Sequence, residues 1–156
     1  MRSSVSPTTR ESYAMPTSQL GFELDSRLER DSVPLMWLGL CEMRLMNDRR
    51  WPWLVLVPQR VGAVEIHDLT PLDQTMLTFE TNTVSKALKE LTQCQKINIG
   101  ALGNVVSQLH VHIVARHDRD AAWPGPVWGH GHREPYEPAS IHKFIDSVRS
   151  KLAHQD

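Results

Sequence analysis

Hydrophobic and polar positions along this chain alternate with two different periods, and their order predicts the elements. Phe22, Leu24 and Leu28 suit a short amphipathic helix, and Pro34 interrupts the segment after it. In Cys41-Glu42-Met43-Arg44-Leu45 apolar residues alternate with charges, as in a half-buried strand. After the polar turn Asn47-Asp48-Arg49-Arg50, the run Trp53-Leu54-Val55-Leu56-Val57 is continuously apolar and stops at Pro58, which suits a central strand covered on both faces. The short polar link makes the two an antiparallel hairpin. Thr70-Pro71-Leu72-Asp73 supplies a cap, a proline at the first helical position and an acid in the first turn. Leu72, Met76, Phe79, Leu88 and Leu91 then recur at near-helical spacing, so the main helix runs to about Leu91 and lies on one face of the sheet. Lys96 to Ala101 and Leu109 to Ala115 read as third and fourth strands around a turn marked by Gly100 and Gly103. Ser140 is placed to cap a last helix carrying Ile141, Phe144, Ile145, Val148 and Leu152. This order predicts an α+β fold: an antiparallel sheet, one main helix packed on it and a C-terminal helix.

Residues 1–19 are rich in Ser, Thr and Pro and offer little to bury, so they are expected to be a disordered tail ahead of one domain spanning residues 20–156. The natural start is Met1 or Met15. The 156 residues are 40% hydrophobic and 22% charged, which is ordinary for one globular domain. Seventeen Lys and Arg against 18 Asp and Glu give a formal charge of −1, a balance that argues against a duplex nucleic acid partner. It leaves room for a local site for a small phosphorylated ligand. No apolar run is long enough to span a bilayer, no hydrophobic stretch near the start suits a signal peptide, and no membrane partner is expected. Cys41 and Cys94 stand far apart and read as reduced thiols of a cytoplasmic protein.

Histidine is the compositional excess: eight in the chain, five of them between His110 and His132. In Gln108-Leu109-His110-Val111-His112-Ile113-Val114, strand periodicity sends Leu109, Val111 and Ile113 toward a core and Gln108, His110 and His112 to the other face, about 7 Å apart along the strand. Three readings are open at this point. The row is a polar strand edge, a reaction surface or ligand cradle, or a zinc site completed by His117, His130 or His132.

The stretch Asn98 to Arg116, with its loop Asn98-Ile99-Gly100-Ala101-Leu102-Gly103-Asn104 ahead of the His-x-His strand, resembles the histidine triad (HIT) family, whose signature alternates three histidines with apolar residues after a glycine-containing loop. Asn47 followed by the strand to Pro58, and His67-Asp68-Leu69 before the helix, fit the same pattern. The resemblance implies a nucleotide hydrolase or nucleotidyl transferase acting at the α-phosphate of a nucleoside phosphate or dinucleotide through a nucleotidyl-histidine intermediate. It makes His110 the nucleophile and His112 a phosphate contact, with Asn47, Asn98, Asn104 and Gln108 at ligand-binding positions. No firm cofactor is implied, magnesium entering as a companion of the substrate phosphates, and a homodimer is expected. Gln108 stands where the family has its first histidine, and an amide cannot transfer a proton. A catalytically weak nucleotide-binding or sensing module is therefore the alternative. In the loop from His117 to Gly129, Trp123 and Trp128 are either buried anchors or a lid over the ligand. Trp37, Trp51 and Trp53 read as core or interface, Arg49, Arg50 and Arg60 as a solvated rim, and His130 and His132 as surface residues.

Overall fold

The computed structural model describes residues 19–155, and the predicted tail up to residue 18 lies outside them. Gln19 itself is tied down: its N–H donates to the Gln59 carbonyl at 3.1 Å, and its Oε1 accepts from Val61 N at 2.8 Å. The elements are α1 (Ser26–Asp31), β1 (Ser32–Trp37), β2 (Cys41–Met46), β3 (Trp53–Pro58), a 3-10 turn (Ile66–Asp68), α2 (Pro71–Thr92), β4 (Lys96–Gly100), β5 (Val111–Arg116) and α3 (Pro138–Ala153). The strands form one antiparallel sheet in the order β1-β2-β3-β5-β4. Helices α2 and α3 pack on one face over Leu54, Leu56, Val111 and Ile113. On the other face a strap, Phe22 to Leu28, joins Trp51, Trp53, Val55, Val57, Val114 and Val127. The α+β class, the β2–β3 hairpin and the two helices agree with the sequence pattern.

Five details differ from it. Phe22 and Leu24 precede α1, so of the three apolar residues expected on the first helix only Leu28 lies in it. Pro34 does not end an element but sits within β1, an edge strand whose register shifts between Pro34 and Met36. An edge strand tolerates the missing N–H. Strand β2 is buried on both faces. Arg44 donates to Glu42 Oε1, to Ser32 Oγ at 2.7 Å and to the Ser32 carbonyl at 3.1 Å, so the charges are paired under the α1–β1 junction instead of facing water.

Helix α2 is capped by Thr70 as predicted, but its buried stripe is Asp73, Leu77, Glu80, Thr81, Val84, Ala87 and Leu88, while Leu72 and Phe79 are exposed. Polar anchors turn the helix. Asp73 accepts two bonds from Arg60, and the Glu80 carboxylate accepts from Leu40 N at 2.6 Å and Cys41 N at 3.1 Å. Helix α3 starts at Pro138 with Glu137, not Ser140, at the N-cap, and Ser140 lies inside it; Ile141, Ile145 and Val148 are buried as expected. Cys41 and Cys94 are buried free thiols, and burial pushes the Cys41 thiol far up. Among the described residues no helix is long and apolar enough to cross a membrane.

Candidate active site

The ladder of β5 begins at Val111, not at Leu109, because Leu109 N donates to the Ala63 carbonyl at 2.9 Å instead of to β4. The alternation of faces persists through these residues. Leu109, Val111 and Ile113 enter the helix-side core, while His110 and His112 emerge opposite, with ring centroids 4.8 Å apart and planes 71° apart. Both are nearly buried, at 7% and 6% exposure, which rules out a solvated strand edge.

The partners of the two rings settle their proton arrangement. His110 Nδ1 lies 2.6 Å from the Gln108 carbonyl oxygen. A carbonyl only accepts, so Nδ1 carries the hydrogen in the neutral ring and Nε2 keeps its lone pair. His112 Nδ1 lies 2.9 Å from Trp53 Nε1. Indole only donates, so His112 is the opposite tautomer and presents Nε2–H as a donor. A ring nitrogen with a lone pair and a neutral N–H donor stand side by side.

Burial, and then the neighbouring His110, lower the His112 pKa from 6.5 to about 3. The unfolded chain therefore takes up a proton on this ring below about pH 6.5 that the folded ring refuses until about pH 3. Stability has lost nothing to this group above that window, and falls as pH drops through it with a limiting slope of about 1.4 kcal/mol per pH unit. Replacing His112 with Gln keeps an acceptor for Trp53 and removes the titration. Denaturant midpoints at pH 7, 6 and 5 should fall less steeply in the variant; equal slopes would show that His112 is not the group responsible.

Around this pair, Gly100 lies across the ladder from His112 and carries the ring of Trp128, which a Cβ there would meet at 3.1 Å. Trp128 also packs edge-on against His112 and Trp53, so it is a wall of the site. Trp123 is half-exposed over Arg116, 5.7 Å from guanidinium to ring, away from the histidines. The loop bearing both is held by Arg116, which binds Asp120, the Gly125 carbonyl and Asn98 Oδ1. Asn98 thus reaches the histidine face of β4 but bonds Arg116. Asn104 is exposed on the loop that Gly103 turns with φ +70°. Asn47 lies at the far end of β2, where its Oδ1 accepts from Tyr136 N at 2.9 Å and ties the approach to α3.

Gln108 departs most from expectation. Its Oε1 accepts from Asp25 N at 2.9 Å and its Nε2 donates to the Glu23 carbonyl at 2.8 Å, so the amide holds the strap instead of pointing at a ligand. Arg27 adds a third tie, donating to the Val105 carbonyl at 2.8 Å and pairing with Asp25, whose carboxyl its bonds pull down to about 2. A ring at position 108 cannot reproduce both amide bonds at that reach. The change Gln108→His should therefore cost about 1–2 kcal/mol in thermal unfolding. An unchanged melting temperature would show that the strap is held without the amide.

Several residues of this region have roles that the sequence pattern does not show. Trp53 has the pattern of a core or interface residue, yet it fixes the His112 tautomer. Arg50 has the pattern of a solvated rim, yet it pairs with Asp48 at 2.7 Å, lies over Trp51 and donates to the His130 carbonyl. Trp53, Asp48, Arg50 and His130 line a cleft of about 370 Å³ with Arg30, Arg133 and Met46. The signal for it in the sequence is the Trp-Pro-Trp at the start of β3: an aromatic two positions before Val55 must share the histidine face.

The site and fold define an antiparallel α+β protein that buries a His-x-His strand beside a glycine loop, with one imidazole keeping its Nε2 lone pair. The chain belongs to the histidine triad family: the HIT domain model matches residues 27–119. It is similar to a histidine triad protein from Sinorhizobium meliloti 1021, with 59% identity and a TM-score of 0.83 over 84% of this chain and 97% of that one. It is also similar to one from Bradyrhizobium japonicum, with 46% identity and a TM-score of 0.82 over 84% and 98%. The fold extends to the diadenosine triphosphate hydrolase of Plasmodium falciparum, at 14% identity and a TM-score of 0.60 over 95% of this chain and 88% of that one. No curated protein matches the sequence.

Proposed function

We propose that the protein is a nucleotide hydrolase or nucleotidyl transferase in which His110 attacks the α-phosphorus of a nucleoside phosphate compound. The observation that carries this reading is the bond from His110 Nδ1 to the Gln108 carbonyl, which leaves Nε2 as a lone pair on the face opposite the core. His112 Nε2–H and the amides of the glycine loop stabilise charge on the phosphoryl oxygens. The cleft beyond Trp53, with its aromatic and arginine lining, suits the nucleoside half of the substrate. Membership of the family, and the dinucleotide substrate in the name of the Plasmodium protein, agree with a nucleoside phosphate or dinucleotide ligand. Magnesium enters with the substrate phosphates. A homodimer accords with the two edge strands and the half-exposed Ile99 on β4, and light scattering reads its mass.

The experiment is to mix the protein with a nucleoside monophosphate ester of a good leaving group, quench, and find the nucleotidyl phosphoramidate by mass spectrometry. An adduct on His110 supports the reading. Binding without any adduct or turnover favours the second reading, a nucleotide-binding module, which the engagement of Gln108 with the strap supports. A zinc site finds no support in the side chains: among the described residues no three His, Cys, Asp or Glu converge, and both Nδ1 atoms of the histidine pair are engaged.

A further inference from the structure

A second cleft, about 210 Å³, is lined by His110 itself and shares no residue with the cleft beyond Trp53. Gly103, Ser107, Gln108 and His110 line one side of it, and Glu65 and His67 the other. The turn bearing Glu65 and His67 is held there from two directions. Leu109 N bonds the Ala63 carbonyl, and Asp68 Oδ2 accepts from Val64 N at 3.0 Å and Glu65 N at 2.8 Å. Those amide bonds hold the Asp68 carboxyl below its ordinary range, and its Oδ1 lies 3.9 Å from His67 Nε2. His67 is thus an imidazole beside a carboxylate, on the rim of a cleft that also reaches the nucleophile.

We propose that this cleft receives the leaving group and that His67 protonates it. The proposal rests on the nucleotidyl-transfer reading above. In-line displacement requires the leaving atom to depart from the side of phosphorus opposite His110 Nε2. Gln108 has no proton to give, and its amide is engaged with the strap. Imidazole is the side-chain type that exchanges protons near neutral pH, and among the described residues His67 is the only imidazole besides His110 in this cleft. In the first step the Nε2 lone pair of His110 forms the N–P bond while the bond from phosphorus to the leaving oxygen or nitrogen breaks. That atom keeps the electron pair and takes the proton from His67. In the second step water attacks phosphorus, the N–P bond returns its pair to His110, and the proton from water restores His67. A small cleft of mixed lining fits a short alkyl, amine or phosphate leaving group.

The test compares His67→Gln with wild type on two substrates sharing one nucleotidyl group. One carries a p-nitrophenolate leaving group, which needs no proton, and the other an alkylamine, which leaves only when protonated. In the variant, turnover of the amine substrate should fall at least about thirtyfold, and that of the p-nitrophenyl ester less than about threefold, with KM moving little for either. Equal losses on both substrates, or no loss on either, would overturn the assignment of His67. Adducts trapped on His110 in both proteins would then show that nucleotidyl transfer itself stands. Absence of adduct and turnover in wild type would overturn both.

Discussion

Replacing His110 with Asn should leave a folded protein whose turnover of nucleoside phosphates falls on the order of a thousandfold or more, because the covalent route depends on one nitrogen. Asn keeps a polar group on the same face but cannot carry the Nε2 lone pair to phosphorus. The fold cost is larger than an exposed strand position would give. His110 is only 7% exposed, and losing its N–H leaves the Gln108 carbonyl without that donor, a change of about 1–2 kcal/mol. Mononucleotide affinity should change far less, because the cleft beyond Trp53 and the glycine loop are untouched. Steady-state rates and isothermal titration on the same two proteins check this. Full activity in the variant would remove His110 from the mechanism.

The largest loss of stability is expected at Arg116. Its side chain is 2% exposed and donates four bonds: two to Asp120, one to Asn98 and one to the Gly125 carbonyl. Burial alone would raise the Asp120 carboxyl, but Arg116 and the amides of Ala122 and His117 outweigh it and hold it well below the usual range. Arg116→Met strands that carboxylate, 6% exposed, and should cost about 3–5 kcal/mol. Because Arg116 pins the loop that seats Trp128 against His112, activity should fall along with stability. Adding Asp120→Leu removes the stranded charge and should recover much of the stability without restoring the loop. Urea midpoints of the single and double variants measure both effects. A double variant no more stable than the single would show that the cost lies in packing, not in an unpaired charge.

What the sequence by itself determined is what repeats locally. The period-two alternation separated Leu109, Val111 and Ile113 from His110 and His112, and the structure keeps that separation even though the ladder starts only at Val111. The Thr70-Pro71 start fixed one end of α2, because capping depends on residues within a single turn. The polar turn and apolar run predicted the β2–β3 hairpin for the same reason. Tertiary structure decided whatever depends on partners far away in the chain. Hydrophobicity alone points α2 along Leu72 and Phe79; the pairs Asp73–Arg60 and Glu80 with the amides of Leu40 and Cys41 rotate it instead. The alternating charges of β2 look solvated until α1 and Ser32 close over Arg44. Which way Gln108 faces, and which nitrogen of His112 carries its hydrogen, depend on Glu23, Asp25 and Trp53, up to 85 residues away. A side chain's pattern in the sequence says which face it takes; its hydrogen-bond partners, brought there by the fold, say what it can do.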